Sequence, residues 1–242
     1  CVQAACGPRS LPAGLRAAAS KIWTSISAPW AHGKRRMANP DQAAFWNERY
    51  ATDDYLFGTA PNAFLAREVH RLALGSKVLA VADGEGRNSV FLAQHGHRVI
   101  ATDVSDQALE KARRLAERRG VAVEYRHVDL AGWEWPVDAF DAVVGIFMQF
   151  AGPELRDDIF EGIHRSLKPG GLLLLEGYRQ EQLSFGTGGP PNLENLYTEE
   201  SLRGAFAEWE IELLNTYDAQ IEEGAGHSGM SALIDLIAQK RV

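Results

Sequence analysis

Short apolar runs rich in β-branched residues recur along the middle of the chain, and the stretches between them carry apolar positions at helical spacing. The runs predict strands over residues 77–82, 97–102, 122–128, 140–146 and 171–177. The intervening stretches predict helices over 87–95, 105–119 and 153–167. Upstream lie a further helix over 41–50, a loop rich in aromatics and a helix over 62–74. Strict strand–helix alternation demands a parallel sheet with right-handed crossovers and helices on both faces, so the fold class is α/β, doubly wound in three layers. In such a sheet ligands bind outside the carboxyl ends of the strands, where the strand order reverses.

Two consecutive strand ends carry matching chemistry. The first run, Lys77-Val78-Leu79-Ala80-Val81-Ala82, empties into Asp83-Gly84-Glu85-Gly86-Arg87-Asn88-Ser89. Glycines here let the backbone take positive φ and approach a ligand, and the next helix offers unpaired N–H donors. The second run ends at Asp103, nineteen residues beyond Gly84, where a carboxylate can accept from a ribose diol or can cap the following helix, a task Ser105 can also perform. A dinucleotide fingerprint wants a third glycine where Ser89 stands. Glu85, read as lying inside the turn, would repel a pyrophosphate but tolerate a cation. A sulfonium cofactor with an amino-acid tail fits these charges better.

Taken together, Val78 to Leu92 with Asp103 resembles the first two motifs of class I S-adenosylmethionine-dependent methyltransferases. The resemblance runs from Asp41 to Val242. It places Asp129 of His127-Val128-Asp129-Leu130 as the acid for the adenine amino group, and Phe140 to Ile146 and Leu167 to Glu176 as the fourth strand and the fifth with its turn. It further implies a seven-stranded Rossmann-like sheet of order 3-2-1-4-5-7-6, closed by an antiparallel pair over 207–217 and 230–239 with a helix over 198–206 before it. Within the family the chain is similar to small bacterial enzymes of the tellurite-resistance type, through Trp46-Asn47-Glu48-Arg49-Tyr50 and the Asp-Gly-Glu-Gly-Arg-Asn turn. Two positions depart from the broader pattern: Ala80 replaces the acid that usually ends the first strand, with Asp83 as its substitute, and Ala82 replaces the first glycine. The implied cofactor is S-adenosylmethionine, held by Asp83, Gly84, Gly86, Asn88, Asp103, Val104, Asp129, Leu130 and Phe147.

Composition narrows the rest. At 242 residues and 45% apolar content the chain can bury one good-sized core. Residues 1–36 hold six Lys and Arg and no acid, which moves the formal net charge from −7 for the chain to −13 for residues 37–242. So acidic a body argues against a polyanion partner, hence against DNA or RNA. Both cysteines, Cys1 and Cys6, lie in the same leader, leaving no thiolate metal site or disulfide elsewhere; no metal is expected. The leader reads as a targeting segment or as translated upstream sequence, with Met37 a natural start, and residues 37–242 as one domain. No apolar run reaches the roughly twenty residues of a membrane span. A cytoplasmic monomer or homodimer is expected.

Acceptor contacts must come from outside the shared sheet. Tyr50 and Phe57 in the approach segment, and Phe185 and Gly186 in the glycine-rich stretch 182–191, are the substrate and lid candidates, although that stretch also reads as a plain surface loop. Phe147, Met148 and Phe150 read equally as core or as pocket wall, and Leu130 and Trp133 as adenine walls or edge cover. His227, in a glycine-rich hairpin, and Tyr55 are the acid–base candidates, with a solvated turn as the other reading of His227. Three functions fit: methyl transfer to a small molecule by direct displacement, a non-catalytic cofactor-binding relative, or a nicotinamide-dependent oxidoreductase. Ser89 and the absence of a Tyr-x-x-x-Lys pair count against the last.

Overall fold

Successive side chains of the central strands point to opposite faces of a single sheet and are buried on both, which builds two apolar layers. The computed structural model describes residues 40–242, so the expectations for the leader and for a boundary at Met37 lie outside the described residues. The elements run α1 (Pro40–Tyr50), α2 (Ala63–Glu68), β1 (Lys77–Val81), α3 (Arg87–Gln94), β2 (Arg98–Asp103), α4 (Asp106–Arg119), β3 (Glu124–His127) and β4 (Phe140–Ile146). They continue as α5 (Pro153–Ser166), β5 (Leu167–Tyr178), α6 (Gln182–Phe185), α7 (Glu199–Ala205), β6 (Glu210–Glu222) and β7 (Ser228–Gln239). The seven strands lie in the order β3-β2-β1-β4-β5-β7-β6, with β7 antiparallel to both neighbours. Order reverses between β1 and its flanking strands β2 and β4, which opens a crevice at their carboxyl ends.

Val78, Ala80, Val99, Ala101, Val144 and Leu174 face one layer with Phe64, Leu65 and Leu92. Leu79, Val81, Ile100, Val143, Leu173 and Leu175 face the other with Ile159, Phe160, Ile163, Phe206 and Trp209. Each Val, Leu, Ile or Phe among them, fully buried, stabilises the fold by about 1.5–3 kcal/mol. Ser105 Oγ accepts from the Ala108 N–H at 3.1 Å and Gly120 ends α4 in the left-handed region, so the helix has its own cap and Asp103 is not consumed by capping.

Two elements differ from the sequence reading. The helix expected over 62–74 stops at Glu68 and tightens into a 3-10 turn over Val69–Arg71, because Leu72 is already extended to lead the chain into β1. The sixth strand starts later than expected and runs to Glu222, since Trp209 still closes a turn on Phe206. The β6–β7 hairpin therefore reaches past the end of β5, and its tip hangs over the crevice.

Backbone strain gathers at the same place. Among the described non-glycine residues only Ala82 (φ +49), Asp138 (φ +43) and Phe147 (φ +55) take positive φ, and the first and last directly follow β1 and β4. Such conformations cost about 1–3 kcal/mol each and persist where surrounding structure over-determines them.

Candidate active site

The crevice is a cavity of about 300 Å³, at the lower end of the range for small-molecule sites. Its floor is made of strand ends: Ala82, Asp83 and Gly84 after β1, Asp103 and Val104 at β2, Val128 to Ala131 after β3, and Ile146, Phe147 and Phe150 after β4. Arg87 and Asn88 from α3 form one side, Leu155 from α5 another. Gln42, Trp46 and Tyr50 of α1, together with Phe57 and His227, cover it.

Asp103 is the fixed point of the floor. One carboxylate oxygen accepts from the Gly84 N–H and the other from the Ser105 N–H, both at 2.9 Å, so the group faces the glycine bend. Burial pushes its pKa up to about 6 despite those donors. Asp83 sits beside it, with Oδ1 accepting from the Ser89 N–H at 3.2 Å and Oδ2 buried without a hydrogen-bond partner. Burial raises Asp83 to about 7, with the nearby Asp103 charge adding to the rise. A buried carboxylate oxygen without a hydrogen-bond donor is an open acceptor at the floor of the cavity. Ala80 is buried in β1 and has no polar part in the site, while Ala82 keeps the bend its missing glycine would have made by accepting positive φ.

The cover is built from aromatic rings. Trp46 stacks on Tyr50 with centroids 5.6 Å apart, and Phe57 and Phe147 each lie 4.4 Å from the His227 ring. His227 is buried, and burial lowers its pKa, so the ring is neutral at physiological pH. The solvated-turn reading of His227 therefore fails. Arg87 Nη1 lies 2.7 Å from Glu223 Oε2, both groups being buried, and His227 Nδ1 lies 3.9 Å from the same oxygen. Burial would raise the Glu223 carboxyl, but His227 and Arg87 beside it hold it down at about 2. Its other oxygen accepts from Asn62 Nδ2 at 3.1 Å and from the Ala63 N–H at 3.2 Å.

Several expectations need correction. Tyr55 is not in the cavity: its hydroxyl donates to Lys111 O and accepts from Arg118 Nη2, both at 2.8 Å, on the outer side of α4. Glu85 is buried away from the cavity, 2.5 Å from Lys111 Nζ, so its charge is answered by the protein and says nothing about the ligand. Gly86 makes no cavity contact. A Cβ there would meet Ala112 Cβ at 2.7 Å, so the glycine serves close packing of α3 on α4. Phe185 and Gly186 stand outside as well: the stretch 182–191 contains α6, and the Gln182 amide fastens it to Thr187, Gly188 and the Ala232 N–H. Met148 packs in the core against Gly145, and Trp133 lies against Trp135 beside it, whereas Phe147 and Phe150 line the cavity. Sequence reasoning assigned no role to Gln42, Trp46, Arg87 or Leu155. Trp46 and Arg87 stand inside the two family motifs, and only the missing tertiary context hid them.

Comparison with known proteins points the same way. Residues 78–171 match a family model described as a methyltransferase domain. The chain has the class I methyltransferase fold. It is 31% identical over 141 residues to glycine N-methyltransferase of Rattus norvegicus, covering 52% of this chain and 48% of the relative. It is also 31% identical over 115 residues to the tRNA 5-carboxymethoxyuridine methyltransferase of Escherichia coli, covering 44% and 42%. The matched segments thus span less than half the length of these relatives. In structure it is similar to a TehB-like SAM-dependent methyltransferase from Corynebacterium glutamicum, with a TM-score of 0.56 at 18% identity, over 84% of this chain and all of that one. That likeness is one of fold. Methyltransferases of this fold use S-adenosylmethionine, and the floor offers it two buried carboxyl groups, Asp103 and Asp83, beside the glycine bend. Among the described residues no helix is long and apolar enough to cross a membrane, and no group of three or more His, Cys, Asp or Glu could hold a metal ion.

Proposed function

We propose that this protein transfers a methyl group from S-adenosylmethionine to a small-molecule acceptor, with the cofactor on the sheet floor and the acceptor under the aromatic cover. The observation that carries this is the Asp103 carboxylate pinned to the Gly84 N–H beside the partnerless Asp83 Oδ2. Asp103 takes the ribose diol and Asp83 the ammonium of the methionine tail. Asn88 and the Gly84 bend support that tail, while Val104, Leu130, Leu155 and Phe147 wall the adenine, with Asp129 near its amino group. Gly86 holds the bend in shape through α4 rather than by touching the cofactor.

The bound cofactor supplies an electrophilic methyl carbon on a sulfonium. That carbon would be taken by the acceptor's nucleophilic atom with the carbon–sulfur electron pair leaving on sulfur, a displacement that asks for no side-chain nucleophile. What the protein contributes is placement in a dry site, worth on the order of 7–11 kcal/mol of the barrier. An acceptor that is already an anion, such as a thiolate or a metalloid oxyanion, needs no base. For a protonated amine or hydroxyl the neutral ring of His227 takes the proton.

The aromatic cover of Trp46, Tyr50, Phe57 and His227 over the floor supports a small acceptor over a macromolecule. The acidic body supports the same choice, although the match to a tRNA methyltransferase gives the opposite reading one specific observation. The tellurite-resistance-type grouping rests on the Trp46-to-Tyr50 motif and the Arg87-Asn88 turn, and it favours a small, soft nucleophile. The test is transfer of labelled methyl from S-adenosylmethionine to separate pools of thiols, metalloid oxyanions, amines and tRNA. Label in a small-molecule pool is expected. Label confined to tRNA would overturn the acceptor class, and none in any pool would overturn the enzyme.

A further inference from the structure

We propose that Glu223 is the positioning residue for His227, fixing which ring nitrogen carries the proton and so turning the other, as a base, toward the acceptor. The inference rests on the proposed role of His227 as proton acceptor, and it assigns a function to a buried carboxylate that the cofactor site does not use.

Three observations meet at this group. The first is its isolation from water: Glu223 and His227 side chains are each 10% exposed, and Arg87 is 7% exposed. The second is its anchorage. Glu223 sits on the hairpin tip yet is held by groups from two other elements, Arg87 at the start of α3 and Asn62 with the Ala63 N–H at the start of α2. A carboxylate placed only to fasten the hairpin would need no histidine beside it. The third is the ring itself: Nδ1 is buried, makes no hydrogen bond within the described residues, and lies 3.9 Å from Glu223 Oε2. That gap is longer than a hydrogen bond, and catalytic contacts of this kind tighten when a ligand binds.

A proton held on Nδ1 by Glu223 leaves Nε2 as the lone pair. When the acceptor's proton passes to Nε2 the imidazolium is paired with Glu223, while its own N–H on Nδ1 stays in place. The charged groups acting on the ring are Glu223 from its own hairpin, Arg87 from α3 and Arg49 from α1, and the remaining neighbours, Phe57, Phe147 and Tyr178, are aromatic. Glu223 is thus the sole carboxylate among them, set against two cations.

Glu223→Gln tests this because the amide oxygen can still accept from Asn62 and the Ala63 N–H, while the atom facing Arg87 and His227 becomes an NH2 donor and the charge that would hold the Nδ1 proton is lost. Ring nitrogen NMR on the full chain reads the His227 tautomer and pKa without any acceptor. The wild type is expected to hold the proton on Nδ1. The variant should mix the two tautomers and titrate at lower pH. With a protonated acceptor, kcat should fall by about tenfold or more, its acid limb should move to lower pH, and Glu223→Asp should restore part of the loss. An unchanged His227 tautomer and pKa in Glu223→Gln would overturn the proposal, whether or not an acceptor had been found. If the NMR shift appears while no pool accepts methyl, the pairing stands and the proposed reaction is what fails.

Discussion

On the floor of the cavity every polar group is set by a strand end: Asp103 by the Gly84 and Ser105 amides, Asp83 by the Ser89 amide. On the cover, rings and ions come from segments far apart in the chain, α1, Phe57 and the 223–227 hairpin, and hold one another. The floor is rigid because moving it would break the sheet. The cover is held by a handful of side-chain contacts and one backbone crossing, of residues 56–58 with 224–226. In the function proposed above, the invariant cofactor lies on the part fixed by the sheet and the variable acceptor under the part fixed by side chains.

The division between floor and cover is tested most severely by Asp103→Ala. Losing a charged acceptor at the ribose position should cost about 2–3 kcal/mol of cofactor binding, on the order of 100-fold in Kd by calorimetry, with the cover unaffected. A smaller effect of opposite kind is expected from Gly224→Ala. A Cβ there would lie 2.5 Å from Gly58 N and Leu56 O at a φ of +74, so the cover must shift. Turnover should fall and stability drop by about 1–2 kcal/mol in thermal melts, while cofactor affinity holds.

The pH dependence separates the halves further. Asp83 and Asp103 titrate near 7 and 6 in the fold against an ordinary 3.8. The stability they contribute is therefore fully present below pH 4 and is lost as pH rises through 6 to 7. Without cofactor, thermal melts should show that loss. Binding runs the other way: affinity for S-adenosylmethionine should rise between pH 5.5 and 7.5, as Asp83 becomes the carboxylate its ammonium needs. The smallest effect belongs to Tyr55→Phe, which removes two hydrogen bonds outside the cavity and should lower stability by about 1 kcal/mol with kcat unchanged.

The floor was legible in the sequence because strand, turn and helix are local: a run ending at Ala82, a glycine bend and an acid at the next strand end specify one geometry. Strand order and most boundaries followed from the same alternation together with the family resemblance. The cover was not legible. Nothing local reveals that Lys111 reaches Glu85 or that Arg118 meets Tyr55, and those partners decide that neither residue serves the cavity. His227 was found by its glycine-rich surroundings, yet Glu223, four residues earlier, gains its meaning only from Arg87 and Asn62 across the fold. Phe185 and Gly186 looked like a lid because glycines suggest motion, but the Gln182 amide pins that stretch to β7.

Gly58 and Gly224 touch backbone to backbone, and the Gly226 N–H donates to Leu56 O at 2.9 Å in the same crossing. With no side chain between them, the approach loop and the hairpin cannot slide or part independently. A displacement of either strip would therefore carry the other, and the His227 ring, which lies on the hairpin, with it.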